Sequence, residues 1–441
     1  MSADTAPTTT QAERDARALH DDGHPIAPGE IAIGVVIGRT SEFFDFFVYA
    51  IASVLVFPKL IFPQLDPLQG TLWSFAIFAL AFVARPVGTV IFTAIDRAYG
   101  RGAKLTTALF LLGGSTAAIA FLPGYESIGI GAALLLALFR MGQGVALGGS
   151  WDGLASLLAI NAPAGKRGWY AMIPQLGAPL GLIVASLLFM FLISALPAQD
   201  FLDWGWRYPF FVAFAINVVA LFARLRIVVT PEYAALFEDK SLEPAPLTET
   251  VRSEWKVILT GAFAPLASFA LFMVTVFPLS WVFLFTEETP ARFLMIEAVA
   301  AFVGVLAIIA SGRLADSFGR RTVLGATAAA IAAFSGFAPQ LLDAGEAGEA
   351  VFMILGFALL GLSFGQSSGA LSSEFLPRHR YTGSAFTSDL AWLFGAGFAP
   401  MVALWLSSSF GLIAAGGYLL SGAVGTLVAL WLNRELARTI G

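Results

Sequence analysis

Three ionisable side chains and a tyrosine share one long apolar run near the start of the chain: Arg39, Glu42, Asp45 and Tyr49. At 100° per residue they project within roughly a 120° arc of one helix face. A charge at mid-bilayer costs about 2.5–3.5 kcal/mol on insertion scales, so charges kept there face a cavity or one another. On a functional reading, Glu42 and Asp45 carry protons and Tyr49 lines a substrate path. The competing reading is a local Arg39–Glu42 pair at i, i+3 that only offsets its own burial.

Arg140 stands in the middle of another apolar run, with Gln143 one turn later. A guanidinium presents a planar fork that matches a carboxylate. Arg140 is therefore a candidate anchor for a substrate carboxylate, or a switching partner for an acid on the first helix. A static interhelical ion pair is the alternative. Asp389 lies in an apolar run near the C-terminus beside Ser388 and Trp392. An unpaired acid there is costly, so Asp389 is expected to face the cavity as a third candidate proton carrier, with Trp392 and, beside Arg140, Gln143 as candidate substrate contacts. Gln175 and Gln366 are candidate cavity amides or packing groups. Glu297 is ambiguous and could sit near the outer interface, and Arg85 is expected to reach the loops in a structural role.

Two basic turns recur in the two halves of the chain. One is Gly312-Arg-Leu-Ala-Asp316-Ser-Phe-Gly319-Arg320-Arg321, and a weaker copy is Thr93-Ala-Ile-Asp96-Arg97-Ala-Tyr-Gly100-Arg101. Glycine lets helix ends approach closely and turn tightly. Asp316 can accept hydrogen bonds from the orphan amides of a helix start. In register, Arg97 of the first copy stands opposite Asp316, so the first turn has lost its acid unless Asp96 replaces it. Asp96, Arg97 and Arg101 in one half, and Asp316, Arg320 and Arg321 in the other, are candidate gating residues together with Arg85.

The elements that must position these groups are membrane spans. The chain has 441 residues, 58% hydrophobic and only 12% charged, with mean hydropathy +0.80. Soluble domains carry about 25% charged residues. A net charge of −5 argues against nucleic acid, and the absence of cysteine excludes disulfides and thiol chemistry. His20, His24 and His379 offer no metal cluster, and no nucleophile–base pair or phosphate loop suggests an enzyme. No cofactor is expected.

Runs of about 20 apolar residues mark spanning helices. Twelve are expected, near 30–57, 70–95, 104–122, 127–155, 169–194, 207–227, 256–285, 290–312, 322–342, 348–371, 381–406 and 410–433. The organisation is then an N-terminal tail at 1–29, six helices over 30–227, a linker at 228–255, six helices over 256–433 and a C-terminal tail at 434–441. The first 29 residues are polar and do not read as a cleaved signal peptide. With both termini in the cytoplasm, 19 Lys and Arg fall on that side, 3 on the other and 3 inside helices. That asymmetry fixes the expected orientation. Trp204, Trp206 and Tyr208 cluster at an outer helix start, where amphipathic rings prefer the interface.

The basic turns resemble the loop between the second and third helices of the major facilitator superfamily, repeated after the eighth helix. The chain as a whole resembles the metabolite:proton symporter family of that superfamily. Four further stretches carry the resemblance: Glu42-Phe-Phe-Asp45-Phe-Phe, Ala84-Arg85-Pro86-Val-Gly88, Arg140-Met-Gly-Gln143-Gly144-Val-Ala-Leu-Gly148-Gly149-Ser-Trp151 and Asp203-Trp204-Gly-Trp206-Arg207-Tyr-Pro209-Phe. It runs from about Ile31 to Asn433.

The resemblance implies an all-α membrane protein of two pseudo-symmetric six-helix bundles, with a substrate site between them at mid-membrane. It implies proton-coupled uptake of a small organic acid or zwitterion, and a monomer in a bacterial inner membrane. A uniporter or exporter is the alternative within transport, and a non-transporting sensor the alternative outside it. Family members match both α-helical acids, Glu42 and Asp45, but usually carry a small polar residue at position 39. They usually carry Glu at the position of Ser150, with Gly where Asp152 stands, and a neutral amide at the position of Asp389. The Gly-Pro motif of drug antiporters is absent: Gly177-Ala-Pro179-Leu-Gly181 is only distantly like it.

Overall fold

The computed structural model describes residues 28–150, 158, 162–163, 165–228, 244–367 and 375–440. The expected N-terminal tail up to 27, most of the linker (229–243) and Asp152 lie outside the described residues. Among the described residues the chain is helical throughout, with no strand.

Twelve helical rods follow in order: α1 (Pro28–Leu55), α2 (Pro67–Tyr99), α3 (Arg101–Ala120), α4 (Gly131–Gly149), α5 (Arg167–Ala195), α6 (Tyr208–Val228), α7 (247–285), α8 (Pro290–Phe318), α9 (Arg320–Ser335), α10 (Gly345–Phe364), α11 (Arg380–Phe410) and α12 (Ile413–Ile440). Ten stretches within them are long and apolar enough to cross a membrane. The other two rods are α1, whose stripe of charges interrupts its hydropathy, and α9, which is only 16 residues long. Expected and observed spans agree within a few residues at most ends. The ninth span stops at Ser335, and a 3-10 segment, Pro339–Asp343, follows it.

Local chemistry sets the boundaries. Asp66 caps α2 by accepting from the Gln69 amide at 3.0 Å, and Pro67 occupies the first helical position. Gly100 and Gly319 end α2 and α8 at φ 82° and 84°, a backbone region that side chains disfavour. Each basic turn is therefore a single glycine between two helices.

Three rods are interrupted inside the bilayer. A 3-10 turn, Ile173–Leu176, lies in α5; α7 changes pitch at Pro265 and again at Phe272–Thr275; and a π-helical turn, Trp392–Gly397, lies in α11. Discontinuous helices of this kind line transporter sites.

Helices α1–α6 form one bundle and α7–α12 the other. They meet along two seams, α5 against α8 and α2 against α11. Within the first bundle, α2 and α4 approach backbone to backbone. A Cβ added to Gly88 would lie 2.1 Å from the Val145 carbonyl oxygen, and one added to Gly144 would lie 2.2 Å from that of Ala81. The glycines of α4 thus serve close packing.

Between the bundles lies a cluster of rings from both: Phe43, Phe46 and Phe47 on α1, Phe82 on α2, Phe269 and Phe272 on α7, Phe364 on α10 and Trp392 on α11. Trp392 sits 4.9 Å from Phe269, 5.0 Å from Phe272 and 5.7 Å from Phe43, centroid to centroid. A cavity of about 20 Å³ beside them, lined by Phe47, Leu182, Phe272, Thr275 and Phe364, has room for about one water. This is a closed conformation at that level. Outward, the rods expose a continuous belt of large apolar residues, including Phe110, Phe191, Phe302 and Trp431, as lipid contact requires.

Candidate functional site

The α1 stripe divides into two separate sites. Asp45 points at α3 and α4. Thr116 Oγ1 lies 2.9 Å from both carboxylate oxygens, and Gln143 Nε2 lies 3.4 Å from Oδ1. Gln143 Nε2 also donates to Thr116 Oγ1 at 2.8 Å, and Arg140 Nη1 donates to Gln143 Oε1 at 2.9 Å. Gln143 therefore stands between the acid and the arginine. Arg140 Nε donates to the Phe78 carbonyl at 3.2 Å, and its guanidinium lies 4.1 Å from the Tyr49 ring centre and 4.7 Å from that of Phe78. Arg140, Gln143, Asp45 and Tyr49 are all buried. No carboxylate lies within ion-pair distance of Arg140 among the described residues. Among the described residues its Nη2 and the Tyr49 hydroxyl have no hydrogen-bond partner. A buried guanidinium left with open donors is costly. The arrangement is a buried cation with unused donors, beside a buried acid held by neutral groups.

Glu42 is held differently. Arg39 Nη1 reaches Oε2 at 2.6 Å, and Arg224 Nη2 from α6 reaches Oε1 at 2.7 Å. The local Arg39–Glu42 pair is present, but it is half of a triad. Arg224 also donates to the Ser150 carbonyl at 3.4 Å. Arg224 lies only four residues before the end of α6, yet it is buried. A signal was available: Asn217 and Arg224 are seven apart on one face of α6, and Asn217 accepts from Ser41 of α1 at 2.6 Å. Thr116 gave no comparable signal.

The remaining candidates lie along the seams. Arg85 Nε on α2 reaches Asp389 Oδ1 on α11 at 2.6 Å, and Thr89 Oγ1 donates to the other carboxylate oxygen. Arg85 therefore does not reach the loops, because Asp389 offers a buried partner across the seam. Asp389 is neither unpaired nor facing an open cavity. Nearer the basic turns, Asp96 lies 3.6 Å from Arg101 and 3.5 Å from Lys104. Lys104 donates to the Tyr381 hydroxyl of α11 at 2.6 Å, and Arg101 stacks over that ring at 4.7 Å.

On the other seam, Asp316 accepts from the amides of Gly168 at 2.6 Å and Trp169 at 3.1 Å, the first turn of α5. Gln366 donates to the Gly168 carbonyl and to Ser311 Oγ, both at 3.2 Å, and Gln175 to Ser367 Oγ at 3.3 Å. The two amides thus tie the bundles together and do not join Arg140. Arg321 donates to the Leu430 carbonyl of α12, and Arg97 is exposed. Arg320 lies beside Arg321 in the first turn of α9. Trp392 belongs to the ring cluster. Glu297, ambiguous in the sequence, is fully buried on α8, where Ser186 of α5 donates to it at 2.9 Å.

The comparisons agree with this architecture. The family model described as Major Facilitator Superfamily matches residues 40–388. The chain is 40% identical over 416 residues to an inner membrane metabolite transport protein, YhjE, of Escherichia coli K12, spanning 92% of this chain and 94% of that one. It is 29% identical over 395 residues to the E. coli K12 shikimate transporter, spanning 86% of this chain and 88% of the relative. It is 28% identical over 422 residues to the E. coli K12 proline/betaine transporter, spanning 91% and 82%. Among solved structures, a crystal structure of a D-xylose-proton symporter superposes with a TM-score of 0.68 at 18% identity, covering 90% of this chain and 96% of that one. Two six-helix bundles, the glycine-hinged basic turns in each and a family match over most of the length converge: the chain is a multi-pass membrane transporter and belongs to the major facilitator superfamily.

Proposed function

We propose that the protein is a symporter that takes up a small organic acid or zwitterion together with protons. It works as a monomer in a bacterial inner membrane, with its termini and basic turns in the cytoplasm. The bundles over 30–227 and 256–433 rock about the central site, joined by the linker at 228–255. The observation that carries this reading is the Arg140–Gln143–Asp45 chain. Arg140 has an open donor for a substrate carboxylate, and among the described residues Asp45 makes no ion-pair contact, with Gln143 standing between it and Arg140. Tyr49, stacked on Arg140 with its hydroxyl unused, is a second substrate contact.

Glu42 is the weaker carrier, because a proton there would sit against Arg39 and Arg224. Asp389 and the residues of both basic turns act as the inner gate, closed in this conformation by the Arg85–Asp389 and Asp316–amide contacts. Shikimate is a carboxylic acid and proline and betaine are zwitterions, so the relatives' names favour a substrate that carries a carboxylate.

The test is uptake of labelled carboxylates and zwitterions into proteoliposomes under imposed pH or sodium gradients. Accumulation driven by an inward proton gradient is expected. Flux indifferent to both gradients would indicate a uniporter. Ligand binding without flux would indicate a sensor.

A further inference from the structure

Helix α8 carries an acid near each end of its seam with α5, Asp316 half-buried and Glu297 fully buried, and the two are satisfied by different chemistry. At the basic-turn end, Asp316 is bonded by two amides. At the opposite end, Glu297 lies about 10 Å inside the start of α8 at 1.5 Å per residue. It has no exposed surface. Among the described residues its single hydrogen bond comes from Ser186, and its other oxygen, Oε1, has no partner.

Among the described residues no cation lies within ion-pair distance of it; Lys59 lines a rim pocket with Ala198 and Pro290 and lies over the Phe283 ring. The stretch of α5 from Gly177 to Ala195 and the stretch of α7 from Leu266 to Phe285 contain no ionisable residue. Helix α9 has none beyond Arg321. Helix α10 offers Glu349, which lines a pocket at the rim with Glu288, Arg292 and Asp343. Arg292 is itself engaged by Glu288 and Glu346. Asp343 accepts from the Trp281 indole. An ionised carboxylate in this setting has no compensating charge, and burial of an uncompensated ion is prohibitive. A neutral carboxyl removes that charge: one oxygen accepts from Ser186, and the proton on the other is one unpaired donor, far less costly than an unpaired ion.

We propose that Glu297 is a proton-binding site separate from the α1 acids, and that its proton locks the α5–α8 seam at the end away from the basic turns. Loss of the proton leaves a bare charge that only water can satisfy, so that end of the seam must open to hydrate it. Closure on that side therefore requires a proton whatever the state of Asp45. The proposal rests on the alternating-access reading, in which this seam opens and closes.

The experiment uses the absence of native cysteine. Spin labels are placed at Ala198→Cys, beside the far end of α5, and Glu287→Cys, just before α8. The purified double variant is reconstituted in lipid, and the label-to-label distance distribution is recorded from pH 5 to pH 9. In the parent, a short-distance population is expected to dominate at low pH and to fall to a minority at high pH. Both Glu297→Gln and Glu297→Met stay neutral, so both should hold the short population at every pH. A parent distribution that ignores pH overturns the proposal, as does a Glu297→Gln variant that follows the parent. Proton-driven uptake is measured in the same proteoliposomes. A pH-dependent seam in a protein whose uptake ignores the proton gradient supports the Glu297 site while refuting symport.

Discussion

The two bundles bury ionisable groups on opposite principles. The first keeps Glu42, Asp45, Arg140 and Arg224 inside in two groups, Glu42 between Arg39 and Arg224, and Asp45 with Thr116, Gln143 and Arg140. The second faces the same central level with rings, Phe269, Phe272, Phe364 and Trp392, and its buried acids Glu297 and Asp389 lie on the seams, not in the middle. On the proposed reading, substrate recognition and the coupled proton belong to the first bundle, while the second supplies an apolar wall and the seam contacts that open and close, with Glu297 as a proton site of the seam. A duplicated fold then divides into a recognition half and a mechanical half.

The sharpest break of this comparison is Glu42→Gln. It leaves Arg224 buried without its counter-charge, and breaking a buried pair costs about 3–5 kcal/mol. A large loss of thermal stability is expected for the purified protein, and exchange and folding should fall together. Glu297→Gln, the equivalent change in the second bundle, should leave stability close to the parent, because no cation loses a partner there. Equal losses in both variants would erase the distinction between the halves.

Next in size is Arg140→Lys. It keeps the charge and removes the fork. Hydrogen bonds to charged groups are worth about 1.5–3 kcal/mol, so substrate affinity should fall about 10- to 100-fold with normal membrane insertion. Near-normal binding by the lysine variant would leave only a generic positive charge at that position.

A smaller effect is expected on the mechanical side. Asp389→Asn removes the partner of Arg85 across the α2–α11 seam. A cysteine at Ser384, buried on α11, should then react several-fold faster with a water-soluble maleimide, while substrate affinity changes little. Unchanged labelling would mean that this ion pair does not hold the gate.

Much of this was legible in the sequence, and the rest was not, for a physical reason. Spans follow from apolar runs, because the bilayer allows few other solutions. The α1 stripe follows from helical periodicity, and the Asp316 turn from its glycines and acid. Pairings between helices do not follow, since they depend on how rods are rotated against one another. Arg224 looked like a loop residue because it falls near the end of its span, yet its stem reaches back to Glu42. Arg85 and Asp389 are three hundred and four residues apart, and nothing in either neighbourhood names the other. Glu297 was ambiguous because its answer, a serine on α5, carries no charge to pattern.

The central claim is that Asp45 carries the coupled proton. A carrier must be protonated in one state and ionised in another, and Asp45→Asn keeps size and hydrogen bonding while holding the neutral form. The most direct measurement is substrate exchange and pH-driven accumulation, recorded side by side in proteoliposomes for the parent and for Asp45→Asn. The account predicts that the variant still exchanges substrate but no longer accumulates it against a gradient. Accumulation as steep as the parent's would contradict it and remove Asp45 from the coupling path.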